Sequence, residues 1–91
     1  MNKELIIENL RKIPGVCPSI ANDLYRIGIC NIDDLKNKNP ETLYEQSNKE
    51  AGIIQDRCLL YVFRCAVYYA KTPASQREND KLNWWNWKDS K

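Results

Sequence analysis

The sequence predicts an all-α protein, a compact bundle of about five helices closed by a tryptophan-rich C-terminal tail. Three observations carry that expectation. Apolar residues recur at helical spacing segment after segment. No alternating strand pattern or strand-turn-strand signal competes with them. Asparagine, proline and glycine punctuate the chain closely enough that the connections are short, as compact helix–helix contacts require. The 91 residues allow one domain. Residues 1–72 are expected to form it, with 73–91 as a polar linker and a Trp-rich segment packed upon it. The 43% apolar and 29% charged residues read as globular rather than disordered.

The first helix is signalled by Ile6, Leu10 and Ile13, one apolar stripe flanked by Leu5 and Ile7. Pro14-Gly15 stops it. A second helix fits Ser19 to Ile27, where Ile20, Ala21, Leu24 and Ile27 share a face and Gly28 follows as the stop. A short third helix fits Ile32–Lys36 behind an Asn31 cap. Asn39-Pro40-Glu41 places a cap, a proline and an acid at the start of a fourth, expected to reach about Ser47. Asp56 suits the cap of a fifth. From Cys58 to Ala70 only Arg64 interrupts the apolar residues, so this helix is expected at the centre of the bundle. Arg64 then needs an acid such as Asp56, Asp34 or Glu41, or a path to solvent. Pro73 ends the helix, and Thr72–Asp80 is polar and flexible in composition. All three tryptophans follow, in the four positions Trp84 to Trp87.

Composition excludes several functions. There is no histidine, which removes Ser–His–Asp and Cys–His nucleophiles and every His-containing metal site. No nucleophile–base–orienter set and no nucleotide-binding loop occurs, so a non-enzymatic role without a cofactor is expected. Asp33-Asp34 sits at a helix start, which explains it. No run approaches the roughly 18 apolar residues of a membrane span, and the opening residues lack the features of a signal peptide. A cytoplasmic protein whose four cysteines stay as thiols is the expectation. Cys58 and Cys65 lie about 10 Å apart along one helix and no close cysteine pair exists, which argues against a metal site. The net charge of +2 is mild; its positive surplus lies in residues 1–38 and 71–91.

The stretch Ile13-Pro14-Gly15-Val16-Cys17-Pro18-Ser19-Ile20-Ala21 resembles a helix-hairpin-helix motif, with Leu24, Gly28-Ile29 and Asp34-Leu35 at its packing positions. Cys17 replaces the motif's second glycine, and Ser19 stands where a basic residue is often found. Asp56-Arg57-Cys58-Leu59-Leu60-Tyr61-Val62-Phe63-Arg64-Cys65-Ala66-Val67-Tyr68-Tyr69 and Trp84-Trp85-Asn86-Trp87-Lys88 are similar to the small bacterial proteins grouped as pathogenicity-locus or mitomycin-resistance-like helix-hairpin-helix proteins. That resemblance spans nearly the whole chain. It implies a SAM-like helical fold with a helix-hairpin-helix domain in residues 1–72; the chemistry of the hairpin makes sequence-independent DNA binding the leading role. A side-chain-free turn lets backbone approach a phosphate, and the first amides of the second helix supply N–H donors with the dipole behind them. The candidate donors are the amides of Gly15, Val16, Cys17, Ser19 and Ile20, with Arg11 and Lys12 as counter-charge. Alternatively the hairpin is a structural connector and the chain binds an unidentified protein.

Trp84, Trp85 and Trp87 cannot all share one α-helical face. Two readings stand side by side: a clamp that completes a small core, or an aromatic platform with Lys81 and Lys88 that stacks bases or anchors a partner. Cys17, at a helix start beside two cations, is the candidate reactive thiol.

Overall fold

The computed structural model describes residues 2–89. Four α-helices carry the fold: α1 (Lys3–Leu10), α2 (Pro18–Arg26), α3 (Pro40–Ala51) and α4 (Arg57–Lys71). Among the described residues there is no strand, and 3-10 turns supply the remaining regular structure. The radius of gyration is 12.4 Å, in line with the roughly 12–13 Å of a folded chain this long. No helix among the described residues is long and apolar enough to cross a membrane.

Helix starts follow local chemistry. The Asn2 side chain accepts from the Glu4 amide at 2.7 Å. Asn39 accepts from Glu41 and Thr42 at 2.8 and 3.3 Å. Asp56 accepts from Cys58 at 2.8 Å. α1 stops at Leu10, and the chain tightens into a turn that buries Ile13. The segment expected as a third helix is instead a single 3-10 turn, Ile32–Leu35. Asn31 and Asp34 cap each other reciprocally across it, and that box closes the turn before an i→i−4 ladder can begin. α3 runs four residues past the expected Ser47, to Ala51, because its outer face is solvated and tolerates Glu45, Gln46, Lys49 and Glu50. Gly52, in the left-handed region at φ 75°, ends it.

α4 is the centre. Leu59, Leu60, Val62, Phe63, Cys65, Ala66, Val67, Tyr68 and Ala70 are all buried along it. Ile6 and Leu10 of α1, Ala21 and Leu24 of α2, Leu35 and Leu43 of α3's approach and first turn join the same core. α1 packs on α2, while α3, the 32–35 turn and the C-terminal turns pack on α4. The buried Ser47 hydroxyl accepts from Gln55 at 2.9 Å, and Tyr44 donates to the Gln55 carbonyl. These bonds fix the α3–α4 loop.

The polar stretch after α4 is held down rather than loose. The Arg77 Nε donates to the carbonyls of Tyr69 and Thr72 at 3.2 and 3.0 Å, and its guanidinium lies 3.7 Å from the centre of the Tyr69 ring. It thereby satisfies carbonyls at the end of α4 that no helical N–H reaches. The Tyr68 hydroxyl accepts from the Glu78 amide at 2.8 Å.

Candidate nucleic-acid interface

The connection between α1 and α2 is built by its own backbone. The Val16 amide donates to the Ile13 carbonyl at 3.1 Å, and Gly15 takes φ 89° to close the turn. A side chain is strained there, which is why glycine holds the position. Cys17 then caps α2 with extended backbone but makes no side-chain cap bond, and α2 carries no acid in its first turn. α1, α3, α4 and the 32–35 turn each have an Asn or Asp cap; α2 has none.

The amides of Gly15, Cys17, Ser19 and Ile20 have no acceptor among the described residues, and all but half-buried Ile20 are exposed. The Val16 amide is different: it is spent inside the turn, and its side chain is buried. Arg11, at the end of α1, and Lys12 are exposed, and neither joins an ion pair among the described residues. The sequence-identified donors and cations therefore stand on one connection.

The tail comes to the same place. Trp84 packs on the core, and a Cβ placed on Gly15 would lie 3.1 Å from its Cδ1. Trp85 is 51% exposed and stands edge-on to Trp84 at 5.8 Å between ring centres. Trp87 is half-buried; its Nε1 donates to the Lys81 carbonyl at 2.8 Å, and its ring lies 5.6 Å from that of Tyr68. Lys88 is exposed. Lys81 pairs with Glu78 at 3.2 Å.

An ion-pair cluster fastens this segment to α4. Asp89 meets the Arg57 guanidinium at 2.6 Å and that of Arg64 at 2.9 Å. Arg64 also meets Glu41 at 2.9 Å and donates to the Trp87 carbonyl at 2.7 Å. Glu41 is one of the acids expected for Arg64. Asp89 was not expected, since nothing local ties it to a residue 25 positions earlier. Hydrogen bonds from Arg57, then from Arg64, hold the Asp89 carboxyl below the usual carboxylate range.

Beside Gly15 lies a groove of about 430 Å³ lined by Ile20, Asp23, Asp56, Leu59 and Trp84 among others. Burial pushes the Asp23 carboxyl up, against the opposing pull of Arg26. Asp56 stays low because it accepts the backbone N–H of Cys58. This side of the hairpin is therefore acidic, whereas the Arg11–Lys12 side is basic. Sequence reading missed the acidic wall, because Asp23 comes from α2 and Asp56 from the cap of α4, and no spacing announces the pair. Among the described residues no group of three Cys, Asp or Glu side chains gathers as metal ligands.

A family model described as "Pathogenicity locus" matches residues 3–91. No curated protein and no solved structure matches the chain.

Proposed function

The chain belongs to the pathogenicity-locus family, and from that premise we propose that it is a small helix-hairpin-helix module that binds DNA without reading its sequence. The observation that carries this reading is the α2 N-terminus, uncapped and free of acids, with exposed amides beside two unpaired cations. Amides so placed donate to phosphate oxygens, and the helix dipole favours the negative charge. Contacts of this kind position a protein on a duplex but carry no base information. The acidic groove repels phosphate, so the strand approaches over Arg11 and Lys12 and stops at Gly15. Trp84 supports the glycine from beneath while leaving it exposed. The cytosol, where its thiols stay reduced, is the compartment that suits this role.

Fluorescence anisotropy of labelled duplex, single-stranded and junction DNA tests the reading at about 50 and 200 mM salt, a range over which phosphate-driven affinity falls steeply. Arg11→Glu with Lys12→Glu should weaken binding by about tenfold or more and flatten the salt slope. Absence of binding at low salt to all three forms sinks the proposal. A second reading, docking of a protein partner, is favoured by exposed apolar groups. Ile53 and Ile54 are 67% and 86% exposed in the α3–α4 loop, and Trp85 is the exposed tryptophan of the tail. Such anchoring is insensitive to salt.

A further inference from the structure

A second groove, of about 390 Å³, opens on the other side of α4. It is lined by Lys38, Pro40, Arg64, Tyr68, Lys71 and Trp87, with Asn37, Asn39 and Val67 completing it. At 100° per helical residue, the α4 residues here point roughly opposite to Cys58, Leu59 and Val62 beside Gly15. This groove is thus separate from the hairpin and goes beyond the reading given above.

Its chemistry is the reverse of the acidic groove's. Among the described residues three cations line it and no carboxylate does. Of these three cations only Arg64 meets carboxylates among the described residues, those of Glu41 and Asp89, which offset its charge. Lys38 and Lys71 are exposed and join no ion pair among the described residues, so they carry the net charge. Half-buried Trp87 and the Tyr68 ring beside it supply an aromatic wall, with Pro40 as a further apolar surface. The platform anticipated with Lys81 and Lys88 is here completed by different lysines, brought in from the start of α3 and the end of α4.

An occupant must therefore be flat and aromatic at one end and anionic at the other, and the volume suits a single such unit. We propose that this groove binds a nucleotide unit, base against Trp87 and Tyr68 and phosphate between Lys38 and Lys71. Base–aromatic stacking beside cations is the common chemistry of unpaired-strand binding. The unit comes either from a free nucleotide or from an unpaired position in a strand.

The test uses the full chain and a fluorescein-labelled ten-nucleotide thymidine strand, read by anisotropy, with adenosine monophosphate, adenosine and inorganic phosphate as competitors. Lys38→Glu with Lys71→Glu should weaken strand binding by about tenfold or more, while the arginine analogues Lys38→Arg and Lys71→Arg retain it. Lys49→Glu, at an exposed position on the outer face of α3 outside both candidate sites, should change it by less than about twofold. Adenosine monophosphate should compete better than adenosine or phosphate alone. An affinity for the mononucleotide equal to that for the strand assigns a free nucleotide; a far tighter strand assigns an unpaired one. The proposal is overturned by no strand binding at low salt, by no competition from millimolar mononucleotide, or by binding indifferent to the Lys38/Lys71 reversal. Loss confined to the Arg11/Lys12 variant also overturns it, and leaves the hairpin as the binding site.

Discussion

Asp89 joins the tail to α4 through two guanidiniums, at 2.6 Å from Arg57 and 2.9 Å from Arg64. Exposed ion pairs in isolation contribute little. Here Arg64 is only 19% exposed and shares its fork with Glu41 and the Trp87 carbonyl, so the pair sits in a network. The Asp89 and Glu41 carboxyls are both held below their ordinary range, the first by hydrogen bonds from Arg57 and Arg64, the second by those from Arg64. A carboxyl depressed in the folded state contributes stability that is present above its unfolded pKa. That contribution is lost as pH falls through the folded value. Thermal stability should therefore hold between about pH 7 and 5 and decline below about pH 4, where free carboxylates titrate. Asp89→Asn should lower the melting temperature at pH 7 and shallow that acid decline. Equal acid sensitivity in the variant, measured by thermal melts from pH 7 to pH 3, would exclude Asp89 as a source of the effect.

At the scale of elements, what the sequence discloses is punctuation. Asn39-Pro40-Glu41, Asp56 and Pro14-Gly15 locate helix ends because capping and breaking act within one turn. Two elements escaped for a local reason. Ile32–Leu35 is too short for an α-helix once Asn31 and Asp34 cap one another. On α-helical spacing the three tryptophans diverge, but Trp84–Trp87 is a 3-10 turn. With three residues per turn, positions 84 and 87 eclipse. Those two tryptophans are half-buried, and Trp85 is the exposed one. The uncapped α2 supplies a prediction with two opposite signs. Cys17→Asp gives α2 the side-chain cap it lacks and places a negative charge at the positive end of its dipole. Chemical denaturation should show stabilisation of about 0.5–1 kcal/mol. The same carboxylate occupies the amides proposed to meet phosphate and repels it, so DNA affinity should fall by about tenfold. Gains in both quantities would mean that the amides of α2 do not meet DNA.

For the whole molecule, the contacts that matter join residues far apart in the chain, and no periodicity encodes them. Gly15 meets Trp84, Arg57 meets Asp89, and Lys38 and Lys71 line one groove. The candidate hairpin rests on a continuous stretch, Ile13 to Ala21, whereas the contact of its turn with the tail joins Gly15 to Trp84 and no spacing encodes it. Two glycine variants separate the local cost from the tertiary one. Gly52→Ala strains a left-handed position in open space and should cost about 1 kcal/mol. Gly15→Ala imposes the same kind of strain and also drives a methyl to 3.1 Å from the Trp84 ring, so it should cost more and shift tryptophan emission. Cys65 reports on the same tertiary assembly. It is buried, with its Sγ 3.6 Å from the Lys81 carbonyl and 3.9 Å from that of Pro14, so it lies where tail and hairpin converge. Burial pushes its thiol up to about 11. Cys17, Cys30 and Cys58 are exposed. Alkylation at pH 8, followed by peptide mass spectrometry, should modify Cys17 and Cys30 quickly, Cys58 more slowly because its hydrogen bond to Asp56 raises its thiol, and Cys65 only as the tail lifts. Ending the chain at Arg77 removes that cover and should accelerate Cys65 modification by about tenfold or more, since each 1.4 kcal/mol off the opening free energy is tenfold in a gated rate. If helical circular dichroism is retained and the Cys65 rate does not move, the tail is an appendage and α1, α2 and α4 alone seal the core. If the rate rises as expected, the Trp-rich segment is part of the fold, and any partner that engages it acts on the hairpin through Trp84.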